Sequence, residues 1–443
     1  MQDFIQLNDR VCSMLTDLDK RVVELIDQRE DEIIGFLKKL ISIPSVTGNE
    51  LDVQKFIEEK LKSMGLEIDM WEPDREKMEN HPAYIPVQRT YADRPNLVGA
   101  YRGKGGGNSL LLNGHVDVIP PDPLEAWQYT PWEGKVLNNR IYGRGASDMK
   151  SGIAAMTMAL DALVSLKITL RGDIFLEYTV DEELSGNGTL ACVMRGYSAD
   201  AGICCETSSL HVQPACIGRI WFEIYIHGKS AGIQRRWQGI SAIDKGYSIV
   251  KAVSHLETIR INDVKHPLYP DNKSSLPCMV CVFQAGSFPS AFPDSCLLKG
   301  SIATLPGEDT DEVKKSFINH IQSFSKSDPW LKDNPPEISF VGYCGDPAEI
   351  PVNHPIVKTI SKKFKDVVGK EPQITGRQGA ADTRYLIEYG NTPTVIFGPG
   401  MTEQMHATNE WVNVNDVITA TKVLALTMIE WCDYNEQGST AGT

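Results

Sequence analysis

Apolar residues recur at helical spacing from about Thr16 to Ile41, through Val22, Val23, Leu25, Ile26, Ile33, Ile34, Phe36, Leu37 and Leu40. That period predicts one amphipathic helix, ended by Pro44 and Gly48 and followed by a second from near Glu50. Strand-like and helix-like runs then alternate. Leu110 to Leu112 reads as a short strand, Ile153 to Leu166 as a helix and Ile174 to Val180 as a strand; Leu190 to Met194 is a short helix and Ala201 to Cys205 another strand. Such alternation predicts an α/β fold with a mostly parallel sheet.

Near Gly218 the pattern changes. Trp221 to Ile226 alternates like a half-buried strand, Ile240 to Leu256 is an amphipathic helix, and Cys278 to Phe283 and Cys296 to Ile302 read as strands. Asp311 to Phe324 is helical and Ile338 to Tyr343 a last strand, giving the order βαββαβ of a split α+β sandwich. After Pro351 the α/β character returns, with a helix from His354 to Val367 and a strand at Thr394 to Phe397. Residues 1–215 and 346–443 are therefore expected to form one α/β domain, with residues 216–345 inserted as an α+β domain. The glycines at 103, 105, 106 and 107 precede a strand, not a helix, so they predict a turn between neighbouring strands rather than a phosphate loop. From Tyr434 on, the polar residues predict a frayed tail.

Composition narrows the partners. With 42% hydrophobic and 23% charged residues the chain is globular, and its net charge of −14 argues against nucleic acid and anionic membrane. No apolar run is long enough to span a bilayer, and Met1 to Asp31 lacks the apolar segment of a signal peptide. The ten cysteines are scattered and a chain this long needs no disulfide staples, so reduced thiols and a cytoplasmic location are expected. Cys278 and Cys281 are spaced like half a zinc knuckle, but no second pair follows and core packing is the better reading.

Polar residues of the α/β part gather just past its strands. The run 110–112 leads into Asn113-Gly114-His115-Val116-Asp117, the strand 174–180 into Asp181-Glu182-Glu183, and the strand 201–205 into Glu206. Asp148 precedes a helix, and the strand ending at Phe397 leads through Gly398-Pro399-Gly400 to His406. Ligands of open α/β sheets bind at the carboxyl ends of the strands, so His115, Asp148, Glu182, Glu183, Glu206 and His406 are expected at one edge. Two imidazoles with several carboxylates suit zinc or a similar divalent ion, in number enough for two ions with one bridging carboxylate. Singly, such a residue is more often a solvated loop residue or a helix cap than a ligand; it is the joint arrangement that points to metal.

The blocks NGHVDVIP at 113–120, GRGASDMKSG at 143–152, VDEELSGNG at 180–188, CETSS at 205–209, GAADTR at 379–384 and GPGMTEQMH at 398–406 make the chain recognisable. It resembles the metallopeptidase family of acetylornithine deacetylase, succinyl-diaminopimelate desuccinylase, aminoacylase and glutamate carboxypeptidase. The resemblance implies a zinc-peptidase-like catalytic domain and an inserted lid that also forms a homodimer contact. It implies that Asp148 bridges two metal ions, zinc or else cobalt or manganese, with Glu183 and His406 completing one site and His115 and Glu206 the other. Asp117 would hold the His115 ring. Glu182 would be the general base that deprotonates metal-bound water for attack on the amide of a small substrate. Arg384 would clamp that substrate's carboxylate. The expected activity is N-acyl amino acid deacylation, with a dipeptidase or carboxypeptidase, or a non-catalytic metal-dependent binding protein, as alternatives. No G-x-S-x-G elbow supports a serine hydrolase.

Two departures fall on the lid. Gly232 stands where family members commonly carry a histidine that helps stabilise the transition state, and Ser290-Ala291-Phe292-Pro293 lacks the asparagine found before the corresponding proline. Arg235 or Arg236, just beyond Gly232, is the expected substitute on lid closure.

Overall fold

A computed structural model describes residues 15–435; the N-terminal stretch read for a signal segment lies partly, and the tail beyond Asn435 wholly, outside them. The expected first helix is two: α1 (Asp17–Gln28), capped by Thr16, and α2 (Glu30–Ser42). The chain bends at Arg29 (φ −103°, ψ 17°), whose guanidinium binds Asp161 at 2.9 Å. The apolar stripe runs unbroken across the bend, which is why the spacing alone conceals it.

The chain divides into two compact units. The first holds residues up to Pro214, Ile350–Thr375 and the residues from Asp382 on; the second holds Ala215–Glu349 and Gly376–Ala381. The short piece falls with the insert because Gly376 N–H donates to Leu268 O at 2.9 Å and Tyr269 Oη to Arg377 O at 3.1 Å.

The first unit carries strands β1 (Glu67–Trp71), β2 (Asn96–Tyr101), β3 (Leu110–His115), β4 (Ile174–Thr179), β5 (Ala201–Cys204), β6 (Val212–Cys216) and β7 (Thr394–Ile396). They lie in the order β1-β2-β4-β3-β5-β7-β6. The central pairs β4·β3, β3·β5 and β5·β7 are parallel, while β1, β2 and β6 join antiparallel. Because β4 lies between β2 and β3, the glycine cluster does not turn between neighbouring strands as expected. It crosses over instead, so close to residues 171–172 and the end of the last helix that a Cβ on Gly107 would meet Cys432 O at 1.9 Å.

Helix α3 (Lys150–Ser165) is buried from Lys150 to Leu163 and packs against α4 (Val414–Cys432), itself almost wholly buried. Both are apolar over most of their surface, their charged Asp161, Lys422 and Glu430 pairing with Arg29, Asp27 and Lys362. The core is one continuous cluster through Leu37, Leu112, Ile153, Leu176 and Leu424.

In the second unit Gly218–His227 pairs antiparallel with Ser295–Thr304 and Glu337–Ser339, and Ser295–Thr304 with Cys278–Ala285. Helices Ala242–Asp263 and Thr310–Ser325 pack together over a core of Ile220, Phe222, Ile224, Leu298 and Phe317. The last strand is shorter than the apolar run predicts, since Gly342 turns left-handed (φ +81°). Tyr434–Asn435, expected to fray, pairs with Thr169–Leu170. Among the described residues no cysteine is joined in a disulfide. Among the described residues no helix is long and apolar enough to cross a membrane.

Candidate metal centre

Parallel strands finish at one edge, and register brings their last residues level. His115 ends β3 opposite Thr179, and Asn113 lies opposite Cys204. Two to four residues past the end of β4 come Asp181-Glu182-Glu183, and two past the end of β5 comes Glu206. Asp148 lies just ahead of α3, and that helix approaches β5 so closely that a Cβ on Gly152 would meet Cys205 O at 1.8 Å. His406 arrives on the loop after β7 with φ +60°.

These side chains converge. Asp148 sends Oδ1 to His115 Nε2 at 3.2 Å and Oδ2 to His406 Nε2 at 3.4 Å. Glu206 Oε1 is 3.3 Å from His115 Nε2, and Glu183 Oε2 is 2.9 Å from His406 Nε2. The ligand atoms fall into two groups, His115 with Glu182 and Glu206, and Asp148 with Glu183 and His406, each within 4.8 Å. Glu182 thus lies within ligand reach of the first group, its Oε2 3.9 Å from His115 Nε2. His115 and Asp148 are buried; His406 is exposed.

Asp117 touches the ring of His115 chiefly through its main-chain carbonyl, 2.9 Å from Nδ1, with the carboxylate at 3.6 Å. That carboxylate accepts the N–H groups of Glu182 and Glu183 at 3.1 and 3.3 Å and the Thr47 hydroxyl at 2.9 Å. It therefore fixes the turn bearing both glutamates as well as lying behind the histidine. Arg384 is buried, its Nη2 donating to Ser185 O at 2.9 Å and Tyr385 Oη at 2.5 Å with the guanidinium 4.4 Å from the Tyr385 ring centroid.

Burial would lower His115, but Asp117, Asp148, Glu182 and Glu206 together hold it well above the usual histidine range. Burial opposes the charge on Asp148 too; hydrogen bonds from His115 and His406 outweigh it and hold this carboxyl well below the usual range. Burial and then the Asp148 charge push Glu183 up to about 7, and hydrogen bonds to Asp148 and Glu183 push His406 up to about 10. Glu182 is lifted well above an ordinary glutamate, by burial first and by Asp382, Glu206 and Glu183 against the pull of His115. Negative groups packed this tightly around two imidazoles fit divalent cations of zinc type, both in donor chemistry and in charge.

Several residues of this edge escape sequence reasoning. Glu410, fully buried, takes main-chain N–H groups of the Asp148 loop. Asp181 is held by Arg94 at 2.8 Å and Tyr91 Oη at 2.9 Å, and Arg94 also binds Glu50 at 2.7 Å. The stretch from Glu72 to Arg94 is thereby tied to the glutamate turn. Asp382 accepts Thr189 Oγ1 at 2.6 Å, and burial pushes it up to about 7. Carboxylates satisfied by backbone amides or by distant arginines leave no local spacing to read.

In the insert, Gly232 pairs with Ala291 and Ala231 with Phe292, so both departures from the family pattern lie on one two-stranded ribbon. Arg235 and Arg236 follow on the exposed turn Ile233–Gln238.

Fold and cluster together define a metal-dependent hydrolase of amide bonds. The chain belongs to peptidase family M20/M25/M40, whose model matches residues 111–430, the family its motifs resemble. It is 28% identical over 435 residues to the N-formyl-4-amino-5-aminomethyl-2-methylpyrimidine deformylase of Halalkalibacterium halodurans, covering 92% of this chain and 96% of that one. The Bacillus subtilis enzyme of the same name is 28% identical over 445 residues, covering 95% and 100%. A dinuclear metal-binding peptidase of the M20 family from Bacillus subtilis has the same fold, with a TM-score of 0.63 at 16% identity over 91% of this chain and 99% of that one.

Proposed function

We propose that the chain is a two-metal deacylase that removes a small acyl group from an amine, with a carboxylate-bearing N-acyl amino acid as the first substrate class. The observation that carries this reading is Asp148, which offers one carboxylate oxygen to each histidine. Glu183 and His406 would hold one ion with it, and His115 and Glu206 the other. A pair of divalent ions, zinc or else cobalt or manganese, would supply an activated water and positive charge for the developing oxyanion. Glu182 would take the proton of the attacking water and pass it to the departing amine, a task suited to a carboxyl whose affinity for protons is raised. Asp117 holds the turn bearing Glu182, and Arg384 would meet the substrate's carboxylate.

Two relatives matched over nearly their whole length, and named as deformylases of an aminopyrimidine, favour a second reading. In it the acyl group is formyl and the amine is borne by a heterocycle. The altered ribbon at Gly232 and Ala291 agrees with a substrate unlike the usual one. We also propose that the chain pairs as a homodimer through its insert. Support comes from the edge strand Cys278–Ala285 and from exposed Ile243, Tyr247 and Met279.

A panel of N-acyl amino acids, dipeptides and N-formyl aminomethylpyrimidines, offered with zinc, cobalt or manganese, tests the reading. Release of free amine that needs metal and falls roughly 10²- to 10⁴-fold in Glu182→Ala is the expected result. No turnover of any member by metal-loaded wild type would favour a binding protein instead.

A further inference from the structure

Glu410 has no part in the reaction proposed above, yet its carboxylate is fully buried and every contact it makes points to one loop. Oε1 accepts the N–H groups of Ser147 at 2.7 Å and Asp148 at 3.0 Å; Oε2 accepts Arg144 Nη1 at 2.7 Å and Gly145 N–H at 3.0 Å. Its own carbonyl accepts Gly143 N–H at 2.9 Å. Further contacts join the same two segments: Ser147 Oγ accepts Met401 N–H at 3.1 Å and approaches Met401 O at 3.3 Å, and Arg144 reaches Ala407 O at 3.3 Å. The loop bearing Asp148 is thus zipped to the loop bearing His406, with Glu410 as the main fastener. The asymmetry matters. His115, Glu182, Glu183 and Glu206 are set by strand ends of the sheet, whereas His406 lies on an exposed loop and meets Asp148 only across this zipper.

We propose that Glu410 is a positioning residue that sets the Asp148–His406 spacing, and with it chiefly the affinity of the ion His406 would hold, the bridging Asp148 passing only a smaller loss to the other. The inference rests on the two-ion reading. Replacing one carboxylate oxygen by an amide turns two acceptor contacts into donor against donor, which loosens the loops without emptying the site. Partners behind metal ligands typically change affinity by about 10- to 100-fold.

The test is calorimetric titration of zinc into metal-free wild type, Glu410→Gln, His406→Ala and His115→Ala, with the melting temperature of each metal-free form. Wild type is expected to take up two ions. Glu410→Gln is expected to hold the ion of His406 roughly 10- to 100-fold more weakly and the other with a clearly smaller loss, in the pattern of His406→Ala rather than of His115→Ala. Should Glu410→Gln fail to fold, Ser147→Ala, which cuts one tooth of the zipper, decides by weakening the same ion to a smaller extent. Two ions at unchanged affinity in the variant, or equal loss of both with a lowered melting temperature, would overturn the proposal. A wild type that binds fewer than two ions would instead sink the two-ion reading and this inference with it.

Discussion

Arg94 lies between two carboxylates that water does not reach, with Glu50 at 2.7 Å and Asp181 at 2.8 Å, all three side chains at most 3% exposed. Burial already raises Glu50 against the pull of this arginine. Arg94→Met keeps most of the volume and removes the cation, so the cost is two unpaired buried charges, on the order of 3–5 kcal/mol. The sign with pH follows from linkage. Without Arg94 the folded Glu50 carboxyl, already raised by burial, binds its proton more tightly still than in the unfolded chain, so the variant loses stability as pH rises. Its deficit against wild type is expected to be smaller at pH 5 than at pH 8 in denaturant unfolding; a deficit that grows toward acid would contradict this. None of it is legible beforehand. His115, Glu206 and His406 stand out because each follows a strand; Asp181 follows one too, but nothing local relates it to Glu50 and Arg94, which only the folded sheet brings to it.

At the scale of elements, periodicity located what packing enforces. Ile174–Thr179 and Pro355–Val368 fall within a residue or so of where the pattern puts them, because burial of one face or of both leaves a period in the sequence. Elements without such a constraint escaped. No strand is expected from the sequence at Val212–Cys216, which Gln213 and Pro214 interrupt, yet it is buried and pairs at Ile396. The bend at Arg29 is invisible because both helices bury the same stripe. The glycines at 103–107 predict a local turn, but the strand order that decides their path is set by pairings with β4, far along the chain. Sheet order is a long-range property, and short apolar runs carry no record of it.

For the whole molecule, the two units divide the work: the first gathers the metal-ligand candidates, and the second is an α+β insert whose strand Cys278–Ala285 ends its sheet. A homodimer would sediment at twice the 49.1 kDa of the chain, and a single-chain mass at working concentration would refute pairing. The central claim concerns Asp148. One oxygen goes to each histidine, so on the proposed two-ion reading its loss would weaken both ions, unlike the loss of any other single proposed ligand. The most direct measurement is zinc bound per chain at equilibrium dialysis, for wild type and Asp148→Asn. Two ions on wild type, and both weakened in the variant, are the predicted result; one ion on wild type, or a variant that keeps either ion at wild-type affinity, would contradict it.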